Sequence, residues 1–150
     1  MIPSYWLFGS KQRILQSGSV TADHYDLIEG TFPPAAETPL HKHANYSETI
    51  VVLEGEVSVY VPGQHVVLKA GETHFIPKNV PHTIANHSSI APFKALAIAA
   101  PSGFAELILN LGIPSDGGDE PPKQEHDMQM VMEEMTRIGD TILGPPGARP

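Results

Sequence analysis

The chain has 150 residues, of which 41% are apolar and 17% are charged, a composition typical of one globular domain. It contains 17 acidic and 9 basic residues, giving a formal charge of −8, and has no run of Lys and Arg that could follow a phosphate backbone. The absence of cysteine excludes disulfides, thiolate nucleophiles and cysteine-bound iron–sulfur clusters. We therefore expect neither nucleic acid nor a membrane surface as a partner, and any metal must be bound by nitrogen and oxygen.

Residues 1–16 lack the basic stretch and long apolar core of a secretory signal. No segment reaches the roughly 20 apolar residues that a membrane-spanning helix needs. These two observations lead us to expect a cytoplasmic protein.

Short apolar runs separated by turn residues extend through the first hundred residues. The runs are rich in β-branched and aromatic residues, and this spacing is typical of an all-β sandwich or barrel. Strands are predicted at 13–16, 24–31, 50–53, 57–61, 66–68, 73–76 and 94–99. Four glycines are assigned to turns, namely Gly30, Gly55, Gly63 and Gly71.

The pattern changes after residue 100, and the last third of the chain is predicted to be helical. A helix is expected at 104–111, a loop at 115–123 and a second helix at 125–138. The second helix has one apolar face, formed by Met128, Val131, Met132 and Met135. We expect a β-barrel domain over 1–100 and a helical extension over 101–150, which packs on the barrel or on a partner subunit.

Three histidines and one glutamate are spaced as metal ligands. Successive side chains of a strand point to opposite faces, so His41 and His43 point the same way. A turn after them would return Glu48 to their side, and His82 opens a later strand. Imidazole nitrogen with carboxylate oxygen suits zinc, iron, manganese, nickel, cobalt or copper, whereas calcium prefers oxygen alone. We predict that His41, His43, Glu48 and His82 bind one divalent transition metal.

Both segments resemble the two signature motifs of the cupin superfamily. In the first motif, which spans 41–55, His-x-His is followed by a glutamate and a glycine at positions that are filled by His41, His43, Glu48 and Gly55. The second motif, which spans 71–86, is represented by Gly71, Pro77, His82 and Asn86. Two positions depart from the pattern, because Ala35 and Asn79 stand where glycine is usual, although Asn tolerates a positive φ.

Further segments near both termini make the chain similar to small single-domain cupins that are described as quercetin-dioxygenase-like. The resemblance implies a double-stranded β-helix, or jelly-roll, barrel and a homodimer. It also implies a metal-dependent dioxygenase-like oxidoreductase acting on a small enol or phenolic compound. In that reaction Glu48 would be both metal ligand and catalytic base.

Two other functions are compatible with the same residues. The metal could serve as a Lewis acid in an isomerase, decarboxylase or hydrolase. The chain could instead be a non-enzymatic module that binds or senses a small molecule, although 150 residues leave no room for an added DNA-binding domain. Dioxygen consumption would distinguish a dioxygenase from an enzyme that uses the metal as a Lewis acid.

The remaining candidate residues are assigned to packing or to the surface. Surface positions are expected for His24, His65, His87 and His126, whereas His74 could face the cavity. Tyr46 and Phe75 are expected to be packing or rim residues. Alternation along the strands places Ile50, Val52 and Ile84 on the inward face, where they would form an apolar pocket around the metal.

Overall fold

The computed structural model describes residues 2–150, which form twelve strands and three helices. The helices are α1 (Gly18–Thr21), α2 (Phe104–Leu111) and α3 (Met128–Ile138). The strands are β1 (Ser4–Leu7), β2 (Ser10–Gln16), β3 (Asp26–Phe32), β4 (Leu40–His43), β5 (Ser47–Glu54), β6 (Glu56–Val61), β7 (Gln64–Lys69), β8 (Thr73–Ile76), β9 (Thr83–Ala85), β10 (Phe93–Ala100), β11 (Ile113–Pro114) and β12 (Asp140–Gly144).

The strands form antiparallel sheets whose neighbours are mostly distant in sequence. One sheet has the order β11-β1-β2-β3-β10-β5-β8, a second has the order β7-β6-β9, and β12 pairs with β4. Strand β10 pairs with both β3 and β5, which precede it by several strands in the sequence. The chain therefore leaves this sheet after β5 and returns to it with β8 and β10. This connectivity is that of a jelly roll, and the predicted all-β cupin fold is confirmed.

Two clusters of buried apolar side chains stabilise the fold. The first lies inside the jelly roll, where the rings of Phe32 and Phe93 stack with their centroids 4.5 Å apart. The second lies between the first strands and the C-terminal segment, and it includes Ile28 from β3, Ile108 from α2 and Val131 from α3. The segment 101–150 therefore packs on the jelly roll through this second apolar cluster.

The predicted strands and helices are present, with bounds that differ by a few residues. Helix α3 begins at Met128 rather than at residue 125, because the carboxylate of Asp127 caps it by accepting hydrogen bonds from the backbone N–H groups of Gln129 and Met130. Strand β12 was not predicted from the sequence. It follows α3 directly and pairs with β4.

The glycine assignments are correct at three of four positions. Gly55, Gly63 and Gly71 lie in turns with positive φ angles. Gly30 was wrongly assigned to a turn, because it lies inside β3 and pairs with Gln12 on one side and Ala95 on the other.

The two departures from the cupin motifs both occupy left-handed backbone conformations. Ala35 has φ 62° and Asn79 has φ 64°. Asparagine adopts this conformation readily, so the Asn79 turn keeps the geometry that glycine usually provides. Alanine is disfavoured there, so Ala35 is the more strained of the two substitutions.

Within residues 2–150 no helix is long and apolar enough to cross a membrane.

Candidate metal centre

The four predicted ligands lie together inside the jelly roll, and three of them, His41, His43 and Glu48, line the cavity there. Strand β4 carries His41 and His43, β5 carries Glu48, and His82 immediately precedes β9. The backbones of His41 and His82 exchange two hydrogen bonds of 3.1 and 2.9 Å, which fixes β4 beside the start of β9. One ligand atom from each of the four residues lies within 4.8 Å of those of the other three.

Each imidazole is held through its Nδ1 atom. His41 Nδ1 lies 2.7 Å from the carbonyl oxygen of Pro39, and His82 Nδ1 lies 2.9 Å from that of Val80. A carbonyl oxygen can only accept a hydrogen bond, so Nδ1 carries the proton in both rings. In the neutral form of each ring, the Nε2 lone pair is then free to bind a metal.

The third imidazole is oriented by a carboxylate. His43 Nδ1 lies 2.8 Å from Asp140 Oδ1, and the Asp140 side chain is fully buried. The other oxygen of Asp140 accepts a hydrogen bond of 2.9 Å from the hydroxyl of Tyr46, whose ring stacks on His43. Carboxylate–histidine pairs of this kind fix the ring and increase the basicity of the ligand nitrogen.

The inner atoms of the cluster need a metal ion or a proton between them. Glu48 Oε2 lies 3.3 Å from His43 Nε2 and 3.2 Å from His82 Nε2. Three imidazole lone pairs and a carboxylate would repel one another at this separation unless a metal ion or a proton compensates them. The donor set, its spacing and its outer hydrogen bonds therefore fit one divalent transition metal, and they do not distinguish which one.

The environment shifts the pKa of several groups in the cluster. Burial holds the pKa of His41 well below its usual value, and the neighbouring imidazoles act in the same direction. Burial opposes protonation of His43, but hydrogen bonds to Asp140 and Glu48 outweigh it and raise its pKa to about 9. Burial would raise the pKa of Glu48, but hydrogen bonds to His43 and His82 hold it well below its usual value.

Asp140 and Tyr46 contact the ligand cluster, and sequence reasoning missed or underrated them. Tyr46 was expected to be a packing or rim residue; it is buried and packs on His43, and it also orients Asp140. Asp140 lies 97 positions after His43 in sequence, and no local pattern links the two residues. The only available signal was a lone acidic residue after the helix-ending Gly139.

The cavity beside the cluster has a volume of about 90 Å³ and a mostly apolar wall. Ile50 and Ile84 line it, as the strand alternation predicted. Val52 is buried in the adjacent core and is not part of the cavity wall. Two polar residues away from the cluster, Ser10 and Gln12, also line the cavity and were not identified from the sequence.

The other histidines lie outside the cluster. Those at positions 24, 65 and 87 are exposed, as expected. His126 was expected at the surface, but it is half-buried and its Nε2 accepts a hydrogen bond of 3.2 Å from the backbone N–H of Phe8. His74 is half-buried on β8 and does not line the cavity, and Phe75 is exposed.

Known proteins resemble both the sequence and the fold. Residues 28–99 match the Cupin domain family. The chain is 25% identical over 118 residues to the quercetin 2,3-dioxygenase of Bacillus subtilis (strain 168), in a match that covers 78% of this chain and 34% of that protein. This chain thus spans about a third of that relative's length.

Two solved structures are similar in fold. A predicted oxalate decarboxylase from Thermotoga maritima has a TM-score of 0.61 at 23% identity, with 67% of this chain and 93% of that chain covered. The polyketide cyclase RemF from Streptomyces resistomycificus has a TM-score of 0.59 at 25% identity, with 67% of this chain and 75% of that chain covered. The domain match, the strand connectivity and the two motifs agree, and this chain therefore carries a cupin domain.

Proposed function

We propose that the protein is a metal-dependent, dioxygenase-like oxidoreductase that acts on a small enol or phenolic compound. The observation that carries the proposal is the convergence of three Nδ1-anchored imidazoles and Glu48 at the end of an apolar cavity. The similarity to quercetin 2,3-dioxygenase, at 25% identity, supports the choice of reaction class.

The chain's own residues would bind and orient such a substrate. Ile50 and Ile84 would exclude water from its apolar part, which strengthens polar interactions at the ligand cluster. The carboxylate of Glu48 would accept the hydroxyl proton of the enol or phenol as the substrate oxygen approaches the cluster. A bound divalent transition metal would lower the pKa of that hydroxyl and supply the capacity for dioxygen chemistry.

The size of the cavity indicates a small substrate. Its volume of about 90 Å³ is well below the roughly 300–1,000 Å³ of sites that enclose drug-sized ligands. A single ring or a short chain fits this volume better than a three-ring flavonoid does. We therefore propose a monocyclic phenol or a short enol rather than quercetin itself.

The test combines metal analysis with dioxygen uptake. The wild-type protein is expected to contain about one transition metal per chain and to consume dioxygen with at least one member of a panel of catechols and short enols. Glu48→Gln should lower metal content and reduce dioxygen uptake by at least about 100-fold, because it weakens a ligand and removes the base. His65→Ala is the matched control, since His65 is exposed and lies outside the cluster.

Full metal content and full turnover in Glu48→Gln would refute the proposed role of Glu48.

The similarity to structures named as a decarboxylase and a cyclase supports a second candidate function, Lewis-acid chemistry with the same metal. Conversion of a substrate under strict exclusion of dioxygen would establish the second candidate and overturn the first.

A further inference from the structure

Gln12 is a buried polar residue in the cavity wall, away from the ligand cluster. It lies on β2 with 6% of its surface exposed, and it lines the same cavity as Glu48 and His43. Strands β2, β3, β10 and β5 are successive neighbours in one sheet, so Gln12 lies three strand positions away from the strand that carries Glu48. The cavity thus has a polar group on two separate parts of its wall.

The hydrogen bonds around Gln12 fix the orientation of its carboxamide. Ser10 Oγ donates its single hydrogen to the carbonyl oxygen of Leu7 at 2.9 Å. It can therefore only accept from Gln12, so the atom that lies 2.6 Å from it is the amide nitrogen Nε2. Within residues 2–150, the remaining atom, Oε1, accepts no hydrogen bond from the protein and is not among the fully buried side-chain atoms that lack a partner, so it is open to the cavity.

Gly30 provides the space that the carboxamide occupies. A Cβ atom at Gly30 would lie 3.1 Å from Gln12 Oε1 and 3.4 Å from Nε2. Gly30 lies inside β3 and is not among the glycines with positive φ, so it is needed for space rather than for backbone conformation. Ala95, which lies on β10 and pairs with Gly30, is also small and lines the cavity.

A carboxamide oxygen that faces the cavity without a protein donor can accept a hydrogen bond from a bound molecule. We propose that Gln12 is a specificity-determining residue, whose Oε1 accepts a hydrogen bond from a hydroxyl of the substrate. The inference rests on the proposed function and narrows its substrate class. The substrate would carry an enol or phenol oxygen at the end facing Glu48 and a second, hydrogen-bond-donating hydroxyl at the end facing Gln12.

The test measures binding of catechol pairs that differ by one hydroxyl. The pairs are 4-methylcatechol with 4-(hydroxymethyl)catechol, and 4-ethylcatechol with 4-(2-hydroxyethyl)catechol. Dissociation constants are measured by calorimetry on the metal-loaded protein. The wild type should prefer the hydroxylated member of at least one pair by about tenfold or more, because Oε1 is otherwise left without a donor.

Two variants remove the proposed contact in different ways. Gln12→Met replaces the carboxamide by an apolar group of similar length, and Gly30→Ala displaces it with a methyl group while retaining its chemistry. Gln12→Met should abolish the preference, and Gly30→Ala, which forces the carboxamide to move by a few tenths of an ångström, should reduce it. Metal content and near-ultraviolet circular dichroism of each variant confirm an intact site and fold.

The role of Gln12 and the proposed function can be refuted separately. If the wild type binds both members of each pair equally, or if Gln12→Met keeps the preference, the role of Gln12 is refuted while the proposed function stands. If no catechol binds to the metal-loaded protein, the phenolic form of the proposed function fails, and the inference about Gln12 fails with it.

Discussion

His43 is the ligand whose protonation competes most directly with a metal. Its Nδ1 faces the carboxylate of Asp140 and its Nε2 faces the carboxylate of Glu48, so the imidazolium form is doubly compensated. Although burial opposes the charge, these two hydrogen bonds raise the pKa of His43 to about 9. A metal bound at Nε2 must therefore displace a proton at neutral pH.

Metal affinity should rise with pH between pH 7 and about pH 9. In the metal-free protein His43 is protonated below about pH 9, and each unit of pH below that value lowers the fraction of the neutral ligand tenfold. The apparent association constant should increase by about tenfold per pH unit and level off above pH 9. Calorimetry in buffers of different ionisation enthalpy should show release of about one proton per metal at pH 7.5.

An association constant that is unchanged between pH 7 and pH 9, with no proton release, would contradict this assignment.

The raised pKa of His43 also makes the folding stability of the metal-free protein depend on pH. A raised pKa stabilises the folded state below the ordinary histidine pKa, and this contribution is lost as the pH rises toward 9.

At the scale of elements, β12 connects the C-terminal segment to the site. It follows α3 after Gly139, whose φ of 82° ends the helix, and it pairs with β4 in antiparallel register. This pairing places Asp140 opposite His43. The extension therefore supplies the group that orients one ligand, in addition to its packing on the jelly roll.

Asp140→Asn should lower metal affinity by about 10- to 100-fold while the protein stays folded. The asparagine amide can donate to Nδ1, which would move the imidazole proton to Nε2 and remove the lone pair that binds the metal. Competition with a chromogenic chelator measures the change. Asp127→Asn is the matched control, because asparagine also caps helices and Asp127 lies away from the cluster.

An affinity for Asp140→Asn within twofold of wild type would show that Asp140 only fills space. An equal loss in both variants would indicate a general effect of removing negative charge rather than the specific contact with His43.

At the scale of the whole molecule, a metal would join three separate parts of the chain. The ligands come from β4, β5 and the residue before β9, and β4 is paired in turn with β12 near the C-terminus. The apolar cluster between the first strands and helices α2 and α3 attaches the C-terminal segment to the jelly roll. Metal binding should therefore stabilise the jelly roll and the extension as one unit.

Removal of the metal should lower the thermal midpoint by about 5–10 °C. A free metal concentration of roughly 100 times Kd stabilises the folded state by about 2.7 kcal/mol, and a protein of this size shifts by about 2–4 °C per kcal/mol. Thermal scans with and without a chelator would measure the shift by two probes. Fluorescence of Trp6, which is buried on β1, and far-ultraviolet circular dichroism should report the same midpoint.

His43→Ala serves as the control, since a chelator should not lower its midpoint further. Two separate transitions in the chelated wild type would contradict the idea of a single cooperative unit.

Much of the fold and the ligand set could be predicted because both depend on short-range patterns. Alternation and turn residues identified most strands, and the helix Phe104–Leu111 was predicted with its observed bounds. The candidate ligands His41, His43, Glu48 and His82 were identified because two motifs match fixed positions of the cupin pattern, and the fold brings these four side chains together. The pairing of β12 with β4 had no such signal, because it joins residues almost one hundred positions apart.

The sequence alone therefore determined the fold class, the four candidate ligands and the apolar character of the cavity at Ile50 and Ile84. These follow from local residue chemistry, from the period of two along a strand and from the resemblance of two motifs to those of cupins. Tertiary structure alone placed Asp140 beside His43 and Gln12 beside Gly30 in the cavity wall. Their roles depend on which distant side chains meet in space, and strand register sets those contacts only after the whole chain has folded.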